Sequence, residues 1–399
     1  MIVPSADLRA LRRSTPAAAL MAAVLVLSGC AGSSLDQSGG TQPSATVKIG
    51  LLVPLSGVYA PLGEDMGNGF KLYLDQHGGK LGGRTAEVVS ADEGEGPQTG
   101  VPAAQKLVTQ DQAAVVVGVV NSATALGLRD FFHESKKPLL VANAGANDIT
   151  GARKSEYVWR TSFANGKVSA ALGSAVAKEA KGGVYLIAAD YAAGREMVAG
   201  FRKTFEAAGG KVAGEKYTPF GKTQDFQPFL SAIRGSGAKA VYSFYAGAEA
   251  VSFVKQYQQF GLAGGTPLYG TGFLTEGGVL DAQGEAAVGV KTSLHYSTEL
   301  DTPRNKEFVA AYRKAYDEAP TVYAVQAYDA AAVLDKAIAG APGGGGAELV
   351  KALGGVGPVD SPRGQWSFDA DHDAQQKYYL REVRSSGGTV VNAVLSELS

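Results

Sequence analysis

The stretch VVVGVVNSATALGL, residues 115–128, decides the fold of this chain. Its apolar start, residues 115–117, ends at Gly118, and a short polar turn precedes an amphipathic segment. This pattern predicts a buried parallel strand, a loop at its carboxyl end and a helix. The first turn of such a helix offers unpaired N–H groups and hydroxyls to a crevice, which suits a carboxylate or similar anion. Alternatively, Ser122 or Thr124 merely caps the helix.

The composition indicates an ordinary globular protein. The chain has 399 residues, of which 45% are hydrophobic and 19% charged, with a formal net charge of −1. This length suits two or three domains at roughly 100–200 residues each. Because the chain has no excess of positive charge to bind a phosphate backbone, we expect no nucleic-acid partner. The four histidines have no metal-ligand spacing, so we expect no metal site.

The first 30 residues are typical of an export signal. A basic start with Arg9, Arg12 and Arg13 precedes the apolar residues 17–27, a run too short to span a bilayer comfortably. The run leads to Cys30, the single cysteine of the sequence, which cannot form an internal disulfide. The pattern resembles a bacterial lipobox, in which the cysteine becomes the lipidated N-terminus after cleavage. The alternative is an ordinary signal sequence that happens to contain cysteine.

These features predict a lipoprotein signal peptide at residues 1–30 and a flexible tether, rich in Ser, Gly, Gln and Pro, at residues 31–46. The predicted protein is exported and lipid-anchored to the outer face of the cytoplasmic membrane. No later segment reaches about 18 uninterrupted apolar residues, so we expect no transmembrane helix in the mature chain.

From residue 47, strand-like and helix-like patterns alternate in two series, and the second series starts after residues 159–161. Such alternation predicts an α/β fold with two lobes, each a parallel sheet flanked by helices. Residues 303–316 and 322–339 are predicted as long helices. Residues 366–369 and 376–383 are predicted as short strands paired with each other through a polar turn.

Enzyme motifs are incomplete or absent from the sequence. Residues 221–223 resemble the end of a phosphate loop, but Lys216 stands where its first glycine belongs. No G-x-G-x-x-G pattern follows a strand, and no G-x-S-x-G pattern occurs. Residues 369–373 imitate the start of a calcium loop, but Ala374 replaces the glycine at position six, so a hairpin turn is predicted. We therefore expect no catalytic residues and no cofactor.

The loops after the predicted strands are rich in small, hydroxyl and aromatic residues. They are residues 56–63, 121–124, 143–147, 190–194, 242–247 and 270–275. In a doubly wound fold these loops share one edge of each sheet. Two such edges that face each other across a hinge form a closable cleft.

Seven segments follow one another in an order and spacing typical of a known family. They are KIGLLVPLSGVYAPLG (48–63), VVVGVVNSAT (115–124), PLLVANAGANDITG (138–151), WRTSF (159–163), ADYAAG (189–194), AVYSFYAG (240–247) and PLYGTGFLTEGG (267–278). With these segments the chain resembles the substrate-binding proteins of ABC importers, of the branched-chain amino-acid (Leu/Ile/Val-binding) type. The resemblance extends from residue 47 to the C-terminus, and the order and spacing of these segments are more specific than any one of them.

The resemblance implies two Rossmann-like lobes hinged by three crossovers, near residues 161–165, 291–296 and 355–362. It assigns residues 47–162 plus 294–357 to an N-terminal lobe, and residues 163–293 plus 358–399 to a C-terminal lobe. It also implies a function without catalysis: capture of a small organic acid or amino-acid-like ligand between the lobes and its delivery to an ABC import permease. We expect the protein to be monomeric.

Site residues follow from the same resemblance. The family binds ligand carboxylates through a loop hydroxyl and backbone amides, here Ser122 and residues 143–146. The second lobe usually supplies aromatic residues, here Tyr191 and either Tyr245 or its neighbour Ala246. The full predicted ligand-binding set is Leu62, Asn121, Ser122, Asn143, Ala144, Gly145, Ala146, Phe163, Tyr191, Tyr245, Ala246, Gly272 and Phe273.

Two departures from the family pattern bear on the ligand. Amino-acid binders often have an aromatic residue where this chain has Leu62. They also place an acid near the position of Gly272 or Phe273 to pair the ligand ammonium, and the nearest acid here is Glu276. Because a buried ammonium without a carboxylate partner is costly, these departures disfavour an ordinary amino acid as the ligand. The loops are also rich in aromatic residues and short of charge, with Tyr191, Phe244, Tyr245 and Phe273. In this the chain resembles the branch of the family that binds aromatic carboxylates, and the resemblance implies a benzoate-like or phenylpropanoid-like acid as the hypothesised ligand.

Two other function classes fit the same sequence less well. The fold also serves as a ligand-sensing receptor or regulator, although no signalling domain follows in this sequence. An enzyme built on Rossmann-like sheets is the third class, and the missing nucleotide and nucleophile motifs argue against it.

Overall fold

The structure, a computed structural model, describes residues 45–398. The predicted signal peptide, the predicted lipidation site Cys30 and residues 31–44 of the predicted tether lie outside this range. The tether was predicted to reach residue 46, but the first strand already begins at Thr46, where backbone pairing with Thr85 holds the chain. Among the helices of residues 45–398, none is both long enough and apolar enough to cross a membrane.

The first sheet has six strands, and residues 115–118 form one of them. They are β1 (Thr46–Val53), β2 (Lys80–Leu81), β3 (Arg84–Asp92), β4 (Val115–Gly118), β5 (Leu139–Val141) and β6 (Val158–Arg160). Their order is β2-β3-β1-β4-β5-β6, and all pairs are parallel except the β2–β3 hairpin. Every residue of β4 is buried, as expected for a central strand covered on both faces.

The second sheet has seven strands. They are β7 (Gly183–Asp190), β8 (Lys211–Pro219), β9 (Ala240–Phe244), β10 (Leu268–Thr271), β11 (Lys291–Leu294), β14 (Tyr378–Ser386) and β15 (Thr389–Leu398). Their order is β15-β14-β11-β10-β9-β7-β8. Strands β7 to β11 pair in parallel, whereas β14 and β15 add an antiparallel edge. A separate two-stranded sheet joins β12 (Ser367–Phe368) to β13 (Ala374–Gln375).

Eleven α-helices connect these strands in the described part of the chain. They are α1 (Ala60–Gln76), α2 (Pro97–Thr109), α3 (Ser122–Ser135), α4 (Asn165–Glu179), α5 (Ala192–Ala207), α6 (Gln227–Ser236), α7 (Gly247–Gln259), α8 (Gly278–Gln283), α9 (Pro303–Tyr316), α10 (Val322–Ala339) and α11 (Gly346–Gly354). Helix α10 packs closely on α1. A Cβ at residue 69 would lie 2.0 Å from the carbonyl oxygen of Ala324, so this close packing requires the glycine found there. The two long helices α9 and α10 have their predicted bounds.

The chain passes between the two sheets three times. It crosses between β6 and α4, returns between β11 and α9, and crosses again between α11 and β14. The two sheets and their flanking helices confirm the predicted two-lobe α/β class. The residue boundaries given above for each lobe stay a prediction.

A buried guanidinium holds the crossovers together. Arg363, in the third crossover, donates hydrogen bonds to the carbonyl oxygens of Thr161 (2.5 Å) and Ser162 (3.2 Å) in the first crossover. Its Nε lies 2.7 Å from Oδ2 of Asp329, a buried residue of α10. A single ion pair therefore links α10 to two of the three connections between the sheets.

Two expectations about strands were wrong or incomplete. Strand β8 was not predicted, because this edge strand carries mostly exposed and partly exposed residues and lacks an apolar run. Residues 366–369 and 376–383 do not pair with each other: β12 pairs with β13, whereas β14 pairs with β11 and β15. The predicted hairpin turn is present, since Oδ1 of Asp369 accepts hydrogen bonds from the N–H groups of Asp371 (2.9 Å) and Asp373 (3.0 Å).

Candidate ligand-binding site

A cavity of about 250 Å³ lies where the carboxyl ends of the strands of both sheets meet. The loops after β1, β4 and β5 line one side, and the loops after β7, β9 and β10 line the other. Among the residues of the described chain that line it, none is Asp, Glu, Lys, Arg or His. The cavity is therefore apolar with neutral polar groups, as small-molecule sites commonly are.

The amino end of α3 offers hydrogen-bond donors that suit an anion. Asn121 caps this helix, because its Oδ1 accepts hydrogen bonds from the N–H groups of Ala123 (2.8 Å) and Thr124 (3.2 Å). The alternative that Ser122 or Thr124 caps the helix is therefore wrong. Freed from capping, Ser122 Oγ accepts the N–H of Ala146 at 3.1 Å, and its own proton stays available to a ligand oxygen.

The same helix end favours negative charge for two further reasons. The N–H of Ser122 lies in the first turn of α3, where it has no intrahelical acceptor. The helix dipole places partial positive charge there, which stabilises an anion. Ser122 thus presents two donors, a hydroxyl and an N–H, at one end of the cavity.

A buried carboxyl group holds the loop between β4 and α3 by hydrogen bonds to its backbone. Glu93 accepts hydrogen bonds from the N–H groups of Val120 (2.6 Å) and Asn121 (2.8 Å). Burial is the largest influence on this group and raises the pKa of Glu93 to about 7. With a pKa near neutrality, Glu93 is partly protonated at pH 7, which would lessen its repulsion of an anion placed at Ser122.

Aromatic rings form the remaining walls. Phe163 lies 4.7 Å from Phe273 between ring centroids, and Tyr191 stacks on Phe220 at 4.1 Å with an interplanar angle of 23°. Tyr323, at the start of α10, faces Phe273 at 6.2 Å. Rings from both sides of the cleft can therefore pack against a flat apolar ligand.

The acid nearest to the expected ammonium position is already occupied. Glu276 forms an ion pair with Arg381 at 2.9 Å and accepts the N–H of Val322 at 2.8 Å. It does not line the cavity. The structure thus offers no free carboxylate among the lining residues to a ligand ammonium.

Nine of the predicted site residues come together in the cavity lining. They are Leu62, Asn121, Ser122, Asn143, Gly145, Phe163, Tyr191, Ala246 and Phe273. Gly145 has no room for a side chain, since a Cβ there would lie 2.2 Å from Oδ1 of Asn165. This close approach explains why the loop after β5 carries glycine at the cavity wall.

The other four predicted residues lie outside the lining. The N–H of Ala144 donates to the carbonyl oxygen of Val119 at 2.9 Å, and the N–H of Ala146 donates to Ser122, so neither amide is available to a ligand. A Cβ at Gly272 would lie 2.3 Å from Nη2 of Arg381, which places this residue behind the wall.

Tyr245 is the fourth residue outside the lining. Its side chain lies in the core of the second lobe, where its hydroxyl is 3.2 Å from Oγ1 of Thr218 and its ring packs edge-on against Phe226. Side chains alternate along an extended segment, so Phe244 and Ala246 line the cavity while Tyr245 points to the opposite face. Of the two residues predicted as alternatives at this position, Ala246 lies in the cavity lining and Tyr245 does not.

Ten lining residues were not in the predicted set. They are Tyr59, Val120, Ala123, Asn165, Ala192, Ala193, Met197, Phe220, Phe244 and Tyr323. The alternation at the end of β9 was a signal that could have identified Phe244. No local signal marks Tyr323, because it belongs to a long helix whose other residues are mostly buried.

Comparison with known proteins identifies the family. Residues 46–389 match the family described as periplasmic binding protein. The chain belongs to the periplasmic binding protein family. This periplasmic binding protein is 33% identical over 355 residues to Leu/Ile/Val-binding protein homolog 6 of Brucella melitensis, an alignment that covers 87% of this chain and 90% of the relative.

Solved structures of related proteins agree. The chain is 39% identical, with a TM-score of 0.81, to an ABC transporter solute-binding protein of R. palustris in complex with benzoate. The alignment covers 89% of this chain and 97% of the R. palustris chain. The chain is also 32% identical, with a TM-score of 0.84, to an ABC transporter solute-binding protein of Rhodopseudomonas palustris BisB5 in complex with 3,4-dihydroxybenzoic acid. That alignment covers 89% of this chain and 98% of the other. A leucine-binding protein of Thermotoga maritima, 20% identical, shares the fold with a TM-score of 0.79 and covers 88% of this chain and 99% of that one. These findings confirm the predicted resemblance.

Proposed function

We propose that this periplasmic binding protein captures an aromatic carboxylate between its two lobes and delivers it to an ABC import permease. The observation that carries the proposal is the uncharged, aromatic cavity with an anion-binding helix end at one side. A ligand held by both lobes favours the closed form over the open one by its extra contacts there. The closed form is the state that we expect the permease to recognise.

The electrostatics favour an acid without an ammonium group. A hydrogen bond from Ser122 to a carboxylate contributes about 1.5–3 kcal/mol. An ammonium in the same cavity would lose its hydration without an ion-pair partner, since Glu276 is engaged by Arg381, and that penalty is several kcal/mol. The solved relatives in complex with benzoate and 3,4-dihydroxybenzoic acid support the same choice.

Isothermal titration calorimetry against a matched ligand panel tests this proposal. We expect benzoate-like or phenylpropanoid-like acids to bind, and leucine, isoleucine and valine to give no heat of binding at the same concentrations. Removing the carboxylate, as in benzyl alcohol, should abolish most of the affinity. Tight binding of leucine or valine with no response to any aromatic acid would overturn the aromatic ligand class while leaving the family assignment intact.

The proposed anchoring has its own test. Cys30 is the single cysteine of the chain, and we infer that it carries the lipid. Changing Cys30 to Ser should release the protein from the membrane fraction, because lipidation requires the thiol, and ligand binding by the released protein should be unchanged. Immunoblotting of fractionated cells gives the readout, with Ser28→Ala as the neighbouring control. Continued retention of the Cys30→Ser protein in the membrane fraction would contradict a lipid anchor.

A further inference from the structure

A fully buried carboxyl group lies directly behind the helix end that faces the cavity. Glu93 is 0% exposed, and its two carboxyl oxygens accept hydrogen bonds from the N–H groups of Val120 (2.6 Å) and Asn121 (2.8 Å). These two residues immediately precede Ser122, whose hydroxyl and N–H are the donors proposed for the ligand. Glu93 itself does not line the cavity. Any influence of Glu93 on a ligand therefore passes through this loop or through its charge.

The partners of this carboxyl group are neutral. Within residues 45–398 no Lys, Arg or His forms an ion pair with Glu93. Helix α2 places a glycine against its side chain, since a Cβ at Gly100 would lie 3.2 Å from Cγ of Glu93. Helix α3 places the hydroxyl of Thr124 beside its carboxyl group. A carboxylate at this position is thus buried without a counter-charge, which favours its neutral form.

The titratable groups that face Glu93 are Asp92, Glu95 and Tyr59. Burial raises the pKa of Asp92, but hydrogen bonds from Ser56 and from backbone N–H groups outweigh burial and hold the pKa below its usual value. Glu95 is exposed, so water stabilises its charged form. Burial raises the pKa of Tyr59 to about 12, so its hydroxyl keeps its proton at neutral pH. Glu93 is therefore the group of this cluster that is suited to exchange a proton near neutrality.

A ligand carboxylate at Ser122 would bring a second negative charge close to Glu93. The N–H groups that hold the two anions belong to adjacent residues, whose Cα atoms are about 3.8 Å apart. Two carboxylates in one buried site repel each other, and this repulsion raises the pKa of one of them. A protonated Glu93 still accepts from the loop, and its new O–H can donate to Oγ1 of Thr124, a buried atom without another hydrogen-bond partner in the described chain.

We propose that Glu93 is a positioning residue that couples ligand capture to proton uptake: when a carboxylate binds at Ser122, the Glu93 carboxylate takes up one proton from the solvent while it continues to hold the loop. This inference rests on the proposed function, because it requires an anionic ligand at Ser122. A group whose pKa rises on binding makes binding tighter as the pH falls. Affinity should therefore be highest below the pKa of Glu93 in the free protein and should decrease as the pH rises above it.

Isothermal titration calorimetry of the wild-type protein in phosphate and in Tris, buffers with different ionisation enthalpies, counts the protons that accompany binding. With benzoate near pH 7 we expect an uptake of about 0.3–0.5 proton per ligand, since about half of Glu93 is already protonated in the free protein. Affinity should increase about 5- to 10-fold from about pH 8 to about pH 6, a range in which benzoate itself stays ionised.

The possible results separate this inference from the proposed function. Binding of benzoate with no proton uptake and with the same affinity across this pH range would overturn the coupling and leave aromatic-acid binding intact. Failure of every aromatic acid to bind would reject the proposed function, and the coupling with it.

Variants assign the proton to one side chain. Glu93→Gln cannot ionise, so both the proton uptake and the pH dependence should disappear, whereas a purely structural role would change affinity equally at every pH and keep the uptake. Glu95→Gln removes the exposed neighbouring acid and is the matched control, which should keep the uptake. Uptake that persists in Glu93→Gln, or that is lost in Glu95→Gln, would assign the proton to another group and overturn the inference.

Infrared difference spectroscopy gives a readout that does not depend on the folding of a variant. In the wild-type protein near pH 7, benzoate binding should increase the absorption of protonated carboxyl groups and decrease that of protein carboxylates. A difference spectrum without a gain in the protonated carboxyl band would contradict proton uptake by Glu93.

Discussion

Changing Ser122 to Ala is expected to weaken the binding of a carboxylate ligand by about 10- to 150-fold, which corresponds to about 1.5–3 kcal/mol. The hydroxyl is the donor that the structure leaves unused at the cavity end of α3, because Asn121 performs the capping. The loss should be confined to carboxylates, so that the small residual affinity of a neutral analogue such as benzamide changes little. Isothermal titration calorimetry with the best aromatic acid measures the change.

Two further variants make this result specific. Ser135→Ala lies at the other end of α3, where the hydroxyl donates to the carbonyl oxygen of Phe132 at 3.4 Å, and it should leave affinity unchanged. Ser122→Thr keeps the hydroxyl and should retain more affinity than Ser122→Ala. Because the Ala146 N–H also loses its acceptor in Ser122→Ala, thermal unfolding should be measured alongside. Unchanged carboxylate affinity in Ser122→Ala would remove Ser122 from the site.

Changing Asp329 to Ala is expected to lower the free energy of unfolding by about 3–5 kcal/mol, because it leaves the Arg363 guanidinium buried without its counter-charge. Oδ2 of Asp329 also accepts hydrogen bonds from Ser361 Oγ (2.8 Å) and Trp366 Nε1 (3.0 Å), and these are lost as well. Burial raises the pKa of Asp329 and lowers that of Arg363. The intact pair thus contributes little net stability, and the cost arises when one partner is removed.

Urea unfolding followed by circular dichroism measures this change. Lys377→Ala provides the matched control, since it removes a salt bridge to Glu397 of the same length, 2.7 Å, between side chains that are about half exposed. Exposed pairs contribute about 0–1 kcal/mol, so this control should stay near the wild-type value. A loss in Asp329→Ala no larger than in Lys377→Ala would show that the crossovers are held by contacts other than the Asp329–Arg363 pair.

The sequence predicted the site best where a short loop follows a buried strand. The apolar run before Gly118 and the polar turn after it placed Asn121 and Ser122 at the carboxyl edge of the first sheet, and the structure brings both into the cavity lining. Sequence alone did not separate the capping residue from the residue free to bind, because Asn and Ser both cap helices. Only the structure of the first helical turn identifies Asn121 as the cap.

Local pattern also left the direction of single side chains open. Tyr245 and Ala246 are neighbours at the end of β9, and a shift of one residue reverses which of them faces the cavity. Gly272 likewise stands one residue before Phe273, yet only Phe273 reaches the cavity, since Arg381 fills the space behind Gly272. These outcomes depend on the packing of strands and side chains that are distant in sequence.

The sequence by itself determined the α/β class, the two lobes and the strand-end loops, because periodic burial and loop composition are local properties of the chain. Three contacts were decided by the tertiary structure alone. Glu276 forms an ion pair with Arg381, Tyr323 lines the cavity, and His295 contacts Gln326, which in turn contacts a residue of the cavity wall. Each of these contacts joins residues that lie on different elements. Their meeting depends on how the crossovers bring the sheets and α10 together, which no local pattern encodes.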